Sequence, residues 1–245
     1  MPIVSQVTWV ASYTLSEERW FHEPARITDL LDALSSTAFW PWLEVMGTGQ
    51  RGEPMGDRDA VHARLVGSHA CWVLAKGDAS TALVGSQRDA WVKIDMAPGY
   101  LGLGAGARRD VLDHMKTHAI DDFVEVLHTL RRRWGDRAVL DAATCSPDRD
   151  FSVAPLTRPR VSNRPLHAIV DVFDPVLSKH GPALAHATPP PGAMRTERDG
   201  LVTLRMLADP SDLTAAQRAS DAHEAWIGPV IDAPFDDEWE PPEEG

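Results

Sequence analysis

From Val7 to Tyr13 the chain alternates, placing Val7, Trp9, Ala11 and Tyr13 on one face, and this predicts a half-buried strand. The period then changes. Ile27, Leu30, Leu31 and Leu34 fall at i, i+3, i+4 and i+7, which predicts an amphipathic helix from Pro24. Phe39-Trp40-Pro41-Trp42-Leu43 closes it, because Pro41 disfavours helix at Trp40. Gly47 to Gly56 reads as a loop. Residues 70–75 and 91–96 read as two strands, followed by an irregular Gly-rich segment from Pro98 to Gly106.

The strongest helix signal is the stripe Ile120, Phe123, Val124, Leu127, Leu130 and Trp134. Arg131, Arg132 and Arg133 crowd its last turn, where cations suit the negative end of the helix dipole, and Gly135 supplies a stop. Residues 138–144 predict a short strand directly behind it. Asp148 to Pro165 is a polar Arg/Pro loop, Leu166 to Phe173 a strand, and 175–193 a long loop with five Pro. Two alternating segments between Met194 and Leu207 flank Asp199-Gly200, a hairpin signal. Asp209-Pro210 opens a last helix whose apolar face carries Leu213, Ala216, Ala219, His223, Trp226 and Ile227, and Gly228-Pro229 is expected to end it.

Strands come in runs rather than in strict alternation with helices, so the expected class is α+β: a mixed or antiparallel sheet with about three principal helices packed on it. A single domain is expected over residues 1–231, with a weak boundary possible only in the Asp148–Pro165 loop. Residues 232–245 are expected to form an acidic, mobile tail.

Composition narrows the class. The 245 residues are 43% hydrophobic and 24% charged, with only two Cys, which excludes disordered, collagen-like, coiled-coil and disulfide-scaffold chains. No apolar run approaches the roughly 18 residues of a membrane span. The first residues lack the basic and apolar regions of a secretory signal, and Cys71 and Cys145 read as free thiols, so a cytoplasmic setting is expected.

Net charge is −12, and its placement matters more than its size. Asp232 to Gly245 holds seven acids and no base. Arg131 to Arg164 holds eight Arg against four Asp. The overall balance argues against direct nucleic-acid binding. It favours a cationic protein partner, although acidity also serves solubility alone.

Candidate chemistry is sparse. His114 and His118 lie at i, i+4 on one helical face, a spacing that can hold zinc, but Met115 stands where a zincin carries its general-base Glu. Gly102, Gly104 and Gly106 follow a strand and precede a helix, yet G-x-G-x-G matches neither the dinucleotide nor the Walker pattern, and a flexible connection explains it equally well. Cys145 with His167 is a conceivable nucleophile and base without any thiol-protease signature, and a buried small hydrophobe is the plainer account. No G-x-S-x-G elbow occurs. No catalytic residue and no cofactor is therefore assigned. Trp239 lies among Asp236, Asp237, Glu238 and Glu240, where it either anchors a partner or folds back onto the body.

The order of elements carries a resemblance. It comprises a strand and helix followed by Trp40 and Trp42, the Phe123–Trp134 helix with a strand behind it, Pro189-Pro190-Pro191-Gly192-Ala193, the Arg195–Leu207 hairpin, and a closing helix after Asp209-Pro210. This layout, over residues 5–230, resembles the immunity proteins of bacterial polymorphic-toxin systems, in particular the immunity protein fifty-two group. The resemblance implies a cytoplasmic, non-catalytic inhibitor that binds a cognate toxin and blocks its active site; where that toxin is a nuclease its cleft is expected to be cationic, and the acidic residues would imitate phosphates. It transfers no site residue. The partner contacts are expected at Asp236, Asp237, Glu238, Trp239 and Glu240; the alternative is a small metal-dependent hydrolase or transferase using Gly99–His118, with His114 and His118 as ligands.

Overall fold

The computed structural model describes residues 8–17, 20, 23–37, 40, 45–47, 53–54, 56–66, 72–76, 79–85, 91–98, 109–146, 168–207 and 213–231. Strand β1 (Thr8–Leu15) leads to helix α1 (Pro24–Ser35), the short strands β2 (Val45–Gly47) and β3 (Glu53–Pro54), and helix α2 (Arg58–Val66). Strands β4 (Trp72–Lys76), β5 (Ala79–Gly85) and β6 (Trp91–Pro98) follow, then the long helix α3 (Arg109–Trp134) and strand β7 (Ala138–Ser146). The remainder is β8 (Val170–Phe173), α4 (Gly181–His186), the hairpin β9 (Met194–Arg198) and β10 (Leu201–Arg205), and α5 (Leu213–Ile231).

The ten described strands join one sheet in the order β3-β2-β4-β5-β6-β1-β7-β8-β10-β9, and each of their pairings is antiparallel. The fold is α+β, as the clustered strands imply. β1 lies inside the sheet, between β6 and β7, with a register shift against β7 between Ser12 and Tyr13.

The apolar spacing of α1 and α3 explains their packing. Ile27, Leu30, Leu31 and Leu34 are all buried, and so are Ile120, Phe123, Leu127, Leu130 and Trp134. Val124 is only partly buried, and Val126 takes a core position instead. Trp134 meets Tyr13 and Trp20 edge-on, with centroids 5.3 and 5.5 Å away, an arrangement that suits the ring quadrupoles. The guanidinium of Arg26 caps the outer side of Trp20 at 5.0 Å. Gly135, at φ +59°, ends α3 where the sequence placed a stop.

The strand period separates two layers on β8. Val170 and Val172 join the large core of α1 and α3, whereas Phe173 packs with Val202, Leu184 of α4 and Ile227 of α5. Helices therefore cover both sides of this end of the sheet. Asp199 and Gly200 both take positive φ, 53° and 76°, the type I′ geometry that matches strand twist in a two-residue hairpin.

Three local expectations need correction, and α2 and β5 lie where the pattern predicted no element. The Gly47–Gly56 loop is flanked and partly occupied by β2 and β3, strands too short for alternation to register. Helix α2 buries only Val61 and Leu65, too few anchors to stand out. β5 is built largely from Ala, Ser and Thr, which give little apolar contrast. The 175–193 segment contains α4, opened by Pro182 in its first turn. In addition, α5 continues through Gly228-Pro229 to Ile231; a Pro so near the helix end forfeits one backbone bond without unwinding the turns before it.

Candidate functional site

The expected contact residues Asp236, Asp237, Glu238, Trp239 and Glu240 lie outside the described residues, as do Gly102, Gly104, Gly106, His167 and Trp42. His114 and His118 belong to α3, one turn apart, in its first half, and Cys145 to β7. Among the described residues no group of three or more His, Cys, Asp or Glu is arranged to hold a metal ion. No described helix is long and apolar enough to cross a membrane.

The feature that does stand out begins directly behind β8. Its backbone leaves the sheet at Asp174, whose N–H donates to the carbonyl of Leu140 (3.1 Å). The Asp174 side chain is 1% exposed, and the turn engages one of its two oxygens. Its Oδ1 accepts from the N–H groups of Val176 (2.9 Å) and Leu177 (2.8 Å), closing an Asx turn. Its Oδ2 faces Nη2 of Arg131 at 3.2 Å, a charge contact rather than an aligned hydrogen bond. Ser178 Oγ donates to the Asp174 carbonyl (2.7 Å), and the Gly181 N–H to the Ser178 carbonyl (3.1 Å). At Gly181 a Cβ would stand 2.0 Å from the Asp174 carbonyl oxygen. The turn is thus closed on its inner side by groups that leave no slack.

On its outer side it presents Val176 and Leu177, 73% and 44% exposed. An exposed aliphatic residue alone is ordinary. Two adjacent ones on a turn fixed by a buried carboxylate are different, because their backbone is already ordered before any partner arrives.

Arg131 links this turn to the rest. The same Nη2 also contacts Asp136 (2.9 Å), and Nη1 donates to the Gly135 carbonyl (2.9 Å). The guanidinium passes beside Gly200, so α3, the Asp174 turn and the hairpin tip meet at one place. Its neighbours diverge. Arg132 reaches Glu125 (3.1 Å) and Asp199 (2.6 Å), and Arg133 reaches Asp29 (3.3 Å) and Asp32 (2.7 Å) on α1. Arg58 of α2 also bonds Asp32, and Arg198 of β9 bonds Glu125. The three arginines do more than answer the helix dipole: each ties α3 to a different element.

These contacts set the protonation states around them. The hydrogen bond from Arg133, with Arg58 adding its charge, holds Asp32 below its ordinary range. Burial works to raise Glu125, but hydrogen bonds from Arg198 and Arg132 outweigh it and hold it low. Burial pushes His128 down, assisted by Arg198, against the pull of Asp199 at 3.4 Å. Burial likewise pushes the Tyr13 phenol far up, against the charge of Arg131.

The hydrophobic pattern does not reveal the Asp174 turn, because residues 175–193 read as a Pro-rich loop. The signal available was Asp174-Pro175 immediately after an apolar strand, followed by two aliphatics where a loop should be polar.

No known protein family matches the chain, and neither does any curated protein. Among solved structures it is similar to the T6SS protein PA0821 of Pseudomonas aeruginosa, with a TM-score of 0.48 and 10% identity, covering 91% of this chain and 83% of that one.

Proposed function

We propose that this chain is an immunity protein that binds a cognate protein toxin and covers the toxin's active site, acting in the cytoplasm without catalysis or cofactor. The observation that carries the reading is the Val176–Leu177 pair, held outward on a turn locked from within. A preorganised apolar anchor lowers the entropic cost of association and suits the centre of a protein interface. The seven acids of residues 232–245 supply the second ingredient, attraction toward a cationic surface such as a nuclease cleft. There they imitate phosphates, raising association rate and specificity more than final affinity. Asp236, Asp237, Glu238, Trp239 and Glu240 are the contacts proposed on that segment.

The test is co-expression with a candidate toxin, the first choice being the product of the neighbouring gene if that product proves toxic when expressed alone. Growth should be rescued, and the two purified proteins should form a stable complex. Val176→Asp with Leu177→Asp should weaken that complex at least about tenfold, equivalent to ~1.4 kcal/mol. Failure to rescue or to bind overturns the reading. Stoichiometric zinc in the purified protein, lost on His114→Ala and His118→Ala, would replace it with the metal-dependent hydrolase or transferase of residues 99–118.

A further inference from the structure

We infer that β9 is a self-complementary edge, and that two copies of this chain associate by pairing their β9 strands antiparallel about Thr196. Among the described residues β9 is the last strand of the sheet and is bonded on one side only, to β10. Met194, Thr196, Glu197 and Arg198 are exposed and Arg195 is half-buried. Such an edge is a ready template for another strand unless its side chains forbid pairing.

The hairpin geometry decides which backbone groups are free. In a two-residue turn the flanking pair, here Arg198 and Leu201, is the hydrogen-bonded one, and bonded pairs recur every second residue. Arg198, Thr196 and Met194 therefore direct their N–H and C=O groups toward β10. Those of Arg195 and Glu197 point outward. A second strand must set its own outward residues opposite these two.

Three antiparallel registers satisfy that condition, and charge chooses among them. Centring on Arg195 sets arginine against arginine. Centring on Glu197 sets glutamate against glutamate. Centring on Thr196 sets Arg195 opposite Glu197 of the second copy, and Glu197 opposite its Arg195, with four backbone hydrogen bonds between them. Like charges directly opposite are destabilising and opposite charges favourable, so only the last register closes. It is also two-fold symmetric, as an isologous dimer requires.

The other side chains agree. Arg195 and Glu197 already lie on one face of the strand, with Nη2 and Oε1 2.7 Å apart, and pairing would extend this contact into an alternating cluster of four charges. The Arg195 guanidinium is steadied by the Ala185 carbonyl at 2.8 Å. On the opposite face Thr196 meets its own copy, and the 56% exposed Met194 meets the stem of Arg198. A five-residue edge is a small interface, so the association is weak and concentration-dependent.

The β9 edge shares no residue with the Val176–Leu177 turn, and the inference does not depend on the toxin-binding reading. The experiment is sedimentation equilibrium of the full chain from about 10 µM to about 1 mM at physiological salt. The wild type should self-associate across that range. Glu197→Lys sets cation against cation, and Arg195→Glu sets anion against anion, so each alone should weaken association at least tenfold while keeping the wild-type circular dichroism. An equimolar mixture of the two should associate again, because each strand then meets its opposite. A monomeric wild type, a Glu197→Lys variant that self-associates as strongly as wild type, or a mixture that stays monomeric overturns the proposal.

Discussion

Nε2 of His223, on α5, lies 3.0 Å from Oδ2 of Asp171, on β8, and neither side chain has any solvent exposure. The contact binds the last helix to the sheet at the centre of its apolar face, beside Trp226, whose ring lies 5.8 Å from the imidazole. Sealed from solvent, it cannot meet a substrate, and its role is to fix α5 in register. Removing one member of a buried pair leaves the other in a low-dielectric site, a change that costs about 3–5 kcal/mol. Asp171 has further partners, which places His223→Ala near the lower end of that range. His223→Leu combined with Asp171→Leu should cost less than the two single changes summed. Urea unfolding of the four proteins measures the difference, and strict additivity would show that the pair is not coupled.

Three adjacent arginines offer a second comparison. Arg131 is 15% exposed and its partner Asp174 is 1% exposed, whereas Arg132 and Arg133 are 47% and 38% exposed. Water and salt screen the outer two, so Arg132→Gln and Arg133→Gln should each cost under about 1 kcal/mol. Arg131→Gln uncovers the charge of a buried carboxylate and should cost about 3 kcal/mol. Equal midpoint shifts in the three variants would contradict the assignment.

Stability should fall on acidification, beginning near neutrality. His128 is held below its ordinary value of 6.5 in the fold, so the unfolded chain takes up that proton first and gains on the native state as pH drops below 6.5. Glu125 and Asp32, held below their ordinary 4.5 and 3.8, add losses of the same sign at lower pH. The melting temperature should therefore decline from pH 7 to 5, with a first step that His128→Gln abolishes. At the other extreme Tyr13 resists ionisation, so stability should decline again above about pH 10.

Periodic residues carried most of the fold into view. Ile27 to Leu34 and Ile120 to Trp134 gave their helices and buried faces together, because burial imposes the 3.6 period, and Asp199-Gly200 gave the hairpin because few dipeptides accept two positive φ angles. The elements that escaped, α2, α4, β2, β3 and β5, are short or built of small residues, and are held by neighbours rather than by their own pattern. The candidate site was harder for a different reason. Asp174, Arg131 and Gly200 are far apart in sequence and meet only once α3, β8 and the hairpin are assembled. His223 and Asp171 did leave a trace, a polar residue on each of two apolar faces, without indicating that they face each other.

Gly181 gives the sharpest test of the turn. No left-handed backbone is needed there; the requirement is space, since a Cβ would lie 2.0 Å from the Asp174 carbonyl, 2.6 Å from Ser178 Oγ and 3.0 Å from the Pro175 backbone. The closest of these is a main-chain atom, so a methyl group cannot be accommodated by swinging a side chain aside. Gly181→Ala must push Asp174 out of line with the N–H groups of Val176 and Leu177, and overpacking of this kind costs about 1–3 kcal/mol. On the proposed toxin-binding reading, partner binding should fall along with stability, because the anchor loses its fixed orientation even though both aliphatic side chains remain. Ser178→Ala serves as the control: it removes one hydrogen bond, about 1 kcal/mol, and leaves the turn in place, so binding should survive. If Gly181→Ala bound toxin as well as wild type while showing the loss in stability, the orientation of Val176 and Leu177 would have no part in recognition.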